Sequence, residues 1–298
     1  MGEPTRCAAS AEEKRHEPED ADLRARLGLI AHTIMVLSGK GGVGKSTVAT
    51  HLALALARQG HRTGLLDIDI HGPSVPKILG LEGRQMQVSD AGMLPVSLDE
   101  RLKVLSIGFL LGPDQDAAVI WRGPMKHKVI REFLTQVVWG PLDYLVVDSP
   151  PGTGDEPLSI AQLIPEADGA VIVTTPQEVA LADVRKCIRF CQAVRLPILG
   201  VVENMSGFAC PRCGERLAPF GEGGGERMAQ EMSVPFLGRL PMDPSLMAAC
   251  DAGTPIDAGP DAGATGQALG RVIEGILREI GSRAAAAAGG SCPASERS

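Results

Sequence analysis

Three groups of residues in this chain have types and spacings that could do chemistry. The first is Gly39-Lys40-Gly41-Gly42-Val43-Gly44-Lys45-Ser46-Thr47, which satisfies the pattern G-x-x-x-x-G-K-[ST] at Gly39, Gly44, Lys45 and Ser46. Small residues let successive backbone N–H groups turn inward as an anion nest at the start of a helix. Lys45 then supplies a point charge to the outer phosphates of a nucleotide, and the Ser46 hydroxyl can ligate Mg²⁺. The second group is a set of carboxylates, Asp67 and Asp69 in Asp67-Ile68-Asp69-Ile70-His71-Gly72-Pro73-Ser74 and Asp148 before Ser149-Pro150-Pro151-Gly152-Thr153-Gly154-Asp155. An apolar strand that ends in aspartate delivers a carboxylate beside a metal, and the Gly/Pro-rich loop after it can respond to a γ-phosphate. The third is Cys210-Pro211-Arg212-Cys213, two thiolates in a tight turn that can both reach one metal centre.

The cysteine pair leaves alternatives open. A zinc knuckle, an iron-sulfur centre and a plain exposed thiol turn all fit C-x-x-C, and sulfur ligands alone do not choose between zinc and iron. A four-thiolate centre needs two more ligands, and no second C-x-x-C occurs in the chain. Two copies related by a two-fold axis would supply them. Cys187 and Cys191 fall on one face of a helical segment with Val184 and Ile188 and read as core, as does Cys250.

These groups need rigid elements to bring them together. Ile30 to Leu37 reads as a buried parallel strand, and Val48 to Gln59 as a helix closed by Gly60. Arg62 to Asp67, Leu102 to Phe109, Leu142 to Asp148, Ala170 to Thr174 and Ile198 to Val202 read as further strands. Helical segments alternate with them, one of them from about Met125 to Val137. That alternation predicts an α/β fold with a doubly wound, mostly parallel sheet. Carboxylates just past strand ends then face the crevice where such sheets bind ligands. Thr265 to Ile280 carries a helical apolar stripe that fits a helix packed on the sheet.

Composition bounds the rest. The chain has 298 residues, 44% of them hydrophobic, and a formal net charge of -7. That charge argues against nucleic acid as a partner. No apolar run is long enough to span a bilayer, and the first residues, rich in Glu, Asp and Arg, lack the apolar segment of a signal peptide. The expectation is a cytoplasmic protein with no membrane partner. Its parts are a mobile polar arm over residues 1–28, a P-loop nucleotide-binding domain over 29–282 and a disordered Ala/Gly/Ser-rich tail over 283–298.

The extra lysine Lys40, in Lys40-Gly41-Gly42-Val43-Gly44-Lys45-Ser46, resembles the deviant Walker A loop of the dimerising P-loop ATPases that include nitrogenase iron protein and MinD-type ATPases. That resemblance implies that Lys40 acts across a dimer on the partner's nucleotide. Further motifs follow in order: Asp67-x-Asp69-x-x-Gly72-Pro73-Ser74, Trp121-Arg122-Gly123-Pro124, Asp148-x-Pro150-Pro151-Gly152-Thr153-x-Asp155, Asn204-Met205-Ser206 and Cys210-x-x-Cys213. Over about residues 30 to 280 this set is similar to the Mrp/ApbC-type iron-sulfur cluster carriers. The resemblance implies ATP and Mg²⁺ as cofactors, with Asp69 positioning the attacking water and Ser46, Asp67 and Asp148 around Mg²⁺. It implies that Asn204 reads the adenine edge while the Pro241-Met242-Asp243 turn closes over the base. Cys210 and Cys213, with their copies in a homodimer, would hold a labile [4Fe-4S] cluster for transfer to apo iron-sulfur proteins, in exchange with scaffold proteins. The competing expectations are a MinD-like positioning or partitioning ATPase, which would want a basic membrane- or DNA-binding surface, and a dimeric ATPase with structural zinc.

Overall fold

Near-continuous apolar runs such as Ile34–Leu37, Leu145–Val147 and Ala170–Val173 can only be buried between two layers of helix, and the sheet they form is covered on both faces. The computed structural model describes residues 21–69, 72–110, 123–210 and 212–289. His71, Trp121, Arg122, Cys7 and Cys292 lie outside the described residues.

In chain order the elements begin with α1 (21–27), β1 (Ile30–Ser38), α2 (Lys45–Arg58), β2 (Thr63–Asp67) and α3 (Val75–Ile78). The short strands β3 (Gln87–Ser89), β4 (Gly92–Leu94) and β5 (Val96–Ser97) lead into β6 (Leu102–Ser106) and a 3₁₀ turn over Ile107–Phe109. Then come α4 (Gly123–Gln136), β7 (Leu142–Asp148), α5 (Asp155–Leu163), β8 (Gly169–Thr174), α6 (Glu178–Ala193) and β9 (Ile198–Glu203). A small hairpin, β10 (Phe208–Ala209) and β11 (Arg216–Leu217), precedes α7 (Gly224–Glu231), β12 (Phe236–Arg239), α8 (Pro244–Asp251) and α9 (Ala264–Gly289).

Eight strands form the main sheet in the order β12-β9-β8-β1-β7-β2-β6-β5. All pair in parallel except the edge strand β5, which runs antiparallel to β6. The expected doubly wound, mostly parallel sheet is therefore present. The two-residue alternation of β1 splits its side chains between two cores: Met35 and Leu37 face one, Ile34 and Val36 the other. Because the strands are parallel, their carboxyl ends share one rim, and the loop after β1 lies where the strand order reverses.

Three expectations need correction. The 1–28 arm is too long, since residues 21–27 are helical and Leu23, only 6% exposed, packs into the core. Arg26 ties that turn down by donating to the carbonyls of Val137 and Ala91, each at 3.2 Å. The tail is too long as well, because α9 continues to Gly289 rather than ending near 282. Alanine is the best helix former, so a helix already nucleated on the core propagates through the Ala run, and Arg283 anchors it at 2.6 Å to the Ile198 carbonyl. Finally, the strand expected to reach Phe109 stops at Ser106, whose side chain caps the 3₁₀ turn by accepting from the Gly108 N–H.

At the opposite rim, Arg62 ties the start of β2 to the start of β7. Its Nη2 lies 2.6 Å from Asp143 Oδ1, and its backbone N–H donates to Asp143 Oδ2 at 2.7 Å. The Arg62 hydrogen bonds hold the Asp143 carboxyl down to about 2. A carboxyl depressed in the folded state contributes stability that is present above its ordinary value of 3.8 and is lost as pH falls toward 2. Asp143→Asn should lower the Tm by a few degrees at neutral pH, a small effect because the pair is solvated, and the gap to wild type should close below pH 3. Melting curves across that range check it; a gap that stays constant with pH would remove the ion pair as its cause.

Candidate nucleotide site and thiol hairpin

Every central strand ends in a fully buried polar residue: Ser38 on β1, Asp67 on β2, Ser106 on β6, Asp148 on β7, Thr174 on β8 and Glu203 on β9. Strand register sets them side by side, with Asp67 opposite both Asp148 and Ser106. Around them the Gly39–Thr47 loop turns from β1 into α2, and Gly44, with φ 84°, makes the left-handed step at the helix start.

Lys45 points inward. Its Nζ lies 2.6 Å from Asp148 Oδ1, 3.5 Å from Asp69 Oδ2 and 3.3 Å from Ser46 Oγ. Burial works against the charge of Lys45, but Asp148 and Asp69 outweigh it and raise the ammonium above its ordinary value. Burial raises Asp148 too, opposed by Lys45 and by a hydrogen bond from Ser46. Asp67 is pushed up to about 8, first by burial and then by Asp148. It accepts from Ser106 Oγ at 2.8 Å and from the Asp69 N–H at 3.1 Å. A second positive charge would relieve all three carboxylates.

The donor set also fits Mg²⁺ in chemistry. Asp148 Oδ2 is buried and carries no hydrogen bond, and the neighbouring Ser149 Oγ is in the same condition, which is costly unless a cation or polar ligand satisfies them. Asp148 and Ser46 together present hard oxygen donors of the kind Mg²⁺ takes. Asp67 accepts one hydrogen bond on each oxygen and stands opposite Asp148 on the neighbouring strand, where the two carboxylates repel. The loop after Asp148 is tied to the phosphate loop's own strand, with Ser149 N–H donating to the Val36 carbonyl and Gly152 N–H to Ser38, at 3.2 and 2.8 Å.

Asn204 also comes to this rim. It is buried, and its Nδ2 donates to the Val43 carbonyl at 2.9 Å, so the structure sets it against the phosphate loop itself. A Cβ at Gly44 would come 2.1 Å from that nitrogen. Gly44→Ala should therefore break the Asn204 contact and force a left-handed alanine, costing at least about 1–2 kcal/mol and weakening nucleotide binding several-fold. Titration with a fluorescent ATP analogue checks this, and unchanged affinity would mean that the Asn204 contact does not shape the loop.

The Pro241–Asp243 turn is laced to the same segment: Ser206 N–H donates to the Leu240 carbonyl and Met242 N–H to Gly207. Asp243 is engaged as the N-cap of α8, accepting from the Ser245 N–H at 2.8 Å, while its other oxygen accepts from Thr265 Oγ1. Lys40 is half-buried in the loop, and its carbonyl accepts from Ser38 Oγ at 3.0 Å. Thr47 lies in the first turn of α2, its carbonyl bonded to the buried His51 ring at 2.8 Å.

The thiols sit on the β10–β11 hairpin, one short segment beyond Asn204. Cys210 N–H donates to the Glu215 carbonyl at 2.9 Å and Gly214 N–H to Cys210 at 2.8 Å, which closes the turn. The backbone N–H groups of Cys213 and Arg212 point at the Cys210 sulfur and hold its thiol below the usual range. Cys213 is exposed. Cys187 and Cys191 are fully buried, and the Cys187 thiol is pushed well up by its hydrogen bond with Cys191 and by burial, so the hairpin carries the reactive pair. Among the described residues no group of three or more His, Cys, Asp or Glu side chains is arranged to hold a metal ion.

Sequence reasoning missed Ser106 and Glu203. The signal was weak, since each is simply the polar residue that ends an apolar strand, with no motif around it.

A model of the NUBPL iron-transfer P-loop NTPases matches residues 29–277. The chain is 52% identical over 238 residues to a protein of Methanocaldococcus jannaschii named iron-sulfur cluster carrier protein, spanning 80% of this chain and 82% of that one. It is 49% identical over 262 residues to the cytosolic Fe-S cluster assembly factor NUBP2 homolog of Monosiga brevicollis, over 87% of this chain and 92% of the relative. Among solved structures it resembles a nucleotide-binding protein of Archaeoglobus fulgidus in complex with ADP and with Co. There the TM-score is 0.69 and the identity 45%, over 79% of this chain and 91% of that one.

Proposed function

Because the chain belongs to the NUBPL iron-transfer P-loop NTPase family, we propose that it is an ATP-dependent iron-sulfur cluster carrier. It works in the cytosol, as the name of its Monosiga relative supports; no helix among the described residues is long and apolar enough to cross a membrane. A homodimer holds a labile [4Fe-4S] cluster as cargo on Cys210 and Cys213 of each copy and delivers it to apoproteins. The observation that carries this reading is that the thiol pair, with Cys213 exposed and Cys210 half-buried, lies one short segment from Asn204, which touches the phosphate loop directly.

In the ATPase step, the Gly39–Thr47 backbone cradles the phosphates and Lys45 moves its charge from the aspartates to them. Ser46 and Asp148 would hold Mg²⁺, which would supply positive charge against the phosphate oxygens, with Asp67 beside Asp148 on the neighbouring strand. Asp69, beside Lys45, orients water. Lys40 completes the partner's site, a contribution in trans worth about 10³ to 10⁵ in rate in other NTPases. Asn204 and the Pro241–Asp243 turn face the base. A cluster held by two thiolates per copy is easier to release than one held by four from a single chain, which suits a carrier.

Anaerobic reconstitution with iron and sulfide, followed by metal analysis, absorption spectrum and solution mass, tests the reading. About four iron per dimer with a broad visible band supports it. Tightly held zinc with no chromophore would replace it with a dimeric ATPase carrying a structural metal.

A further inference from the structure

We propose that Glu203 is a positioning residue that locks the thiol hairpin to the phosphate loop, so that the nucleotide state reaches Cys210 and Cys213 through it. The inference deepens the carrier reading and rests on it.

Glu203 ends β9 and is fully buried. One carboxylate oxygen accepts from Ser206 Oγ at 2.5 Å and from the Gly223 N–H at 2.8 Å, and the other accepts from the Gly225 N–H. Arg239 Nε stands 3.8 Å away. Ser206 begins the excursion that carries the hairpin, and Gly223 ends it. A single buried carboxylate therefore grips both legs of the thiol-bearing segment where they leave the domain.

The grip is specific to a carboxylate. Helix α7 lacks a side-chain N-cap of its own, and Glu203 supplies the negative charge its first N–H groups call for. The approach is close: a Cβ at Gly225 would come 3.0 Å from Glu203 Oε2, so a side chain there would push on the carboxylate. On the other side, the next residue is Asn204, bonded to the phosphate loop at Val43. Between Asn204 and the hairpin the chain reverses sharply, with Met205 at φ 56° and Gly207 at φ 72°. A left-handed methionine is uncommon, and it is held from both sides: Asn204 N–H donates to the Thr174 carbonyl at 2.7 Å and Ser206 N–H to Leu240 at 2.9 Å. Movement of Val43 on nucleotide exchange thus reaches a short, stiff segment that runs into the first leg of the hairpin, and Glu203 with Ser206 ties that leg to the second. The backbone bond from Met242 to Gly207 fixes the first leg's height but not the second leg.

The test is iodoacetamide alkylation of Cys210 and Cys213 in the full chain, read peptide by peptide in a mass spectrometer. It is run with ADP and Mg²⁺, then with a non-hydrolysable ATP analogue and Mg²⁺. Wild type should show rates that differ at least about fivefold between the two nucleotides, the low end of coupling between sites. Glu203→Gln puts an N–H₂ against the Gly225 or Gly223 N–H and should bring that ratio to about one at saturating nucleotide. A merely structural role would alter both rates alike and leave their ratio. Ser206→Ala, which frees the first leg alone, should give an intermediate ratio and carries the test should the glutamine variant not fold. Equal rates in wild type, or a wild-type ratio in either variant, would overturn the inference. Alkylation needs no cluster, so failure of the carrier reading, seen as no iron on reconstitution, is recorded separately.

Discussion

Lys45→Ala should abolish nucleotide-dependent cluster transfer and should also destabilise the protein before any nucleotide is added. The second effect follows from the geometry. Lys45 Nζ lies 2.6 Å from a carboxylate that is fully buried, with Asp69 close by. Removing one partner of such a pair leaves an uncompensated buried charge and costs about 3–5 kcal/mol, unless the aspartates take up protons. Asp148 and Asp67 already hold protons above the ordinary carboxylate range, with Asp67 at about 8. A carboxyl raised in the folded state contributes stability that is full below its unfolded value of 3.8 and is lost as pH rises through the folded value. The alanine variant should therefore lose stability more steeply than wild type as pH rises from 5 to 9. Lys45→Arg keeps a cation and should recover much of that stability, while its planar fork is the wrong shape for the phosphate cradle. Melting curves across pH and transfer assays with ATP check both parts. Wild-type transfer by the alanine variant would refute the coupling of nucleotide to cargo.

The cysteine variants should give the opposite pattern, an unchanged fold with the cargo gone. Cys213 is exposed and Cys210 half-buried on a hairpin outside the main sheet, so serine at either place should change stability by no more than about 0.5 kcal/mol. Iron, however, should fall from about four per dimer to none in the double variant, because each copy contributes only two thiolates. Cys213→Ser alone should suffice, since a dimer would then retain one thiolate per copy. Cys210→Ser removes the thiol that the Arg212 and Cys213 N–H groups favour as thiolate and should be at least as severe. ATP hydrolysis without cargo should persist in both. Metal analysis after reconstitution, with a melting curve on the same samples, decides the matter. Full iron and sulfide in the double variant would sink the ligand assignment.

Much of this was legible in the chain because it is local. The loop from Gly39 to Thr47 and the turn from Cys210 to Cys213 declare their geometry through spacing. The apolar runs before Asp67 and Asp148 declare buried strands. The ends of elements were less legible. Leu23 and Leu27 form a single turn's apolar face inside a charged segment, too little to stand out. The Ala run after Ile280 has a composition shared by mobile tails and by extended helices. Only a helix already anchored on the core, with Arg283 bonded to Ile198, resolves it.

Glu203 illustrates the deeper limit. A glutamate after an apolar strand carries no motif, and its partners Gly223 and Gly225 lie in a glycine-rich stretch that reads as a loop. Asn204 shows the same limit from the other side: its motif marked it for the site, but not its bond to Val43. By itself, the sequence determined a phosphate cradle, a strand-end carboxylate set, a two-thiol turn and a parallel α/β sheet, because backbone conformation and two-residue alternation are written in neighbouring residues. The tertiary structure alone decided that Asp67 stands beside Asp148, that Lys45 meets Asp148 and Asp69, and that one buried carboxylate, next to Asn204, grips both legs of the thiol-bearing segment. Those contacts depend on strand order and register, which bring distant residues to one rim and withdraw water from the charges that meet there.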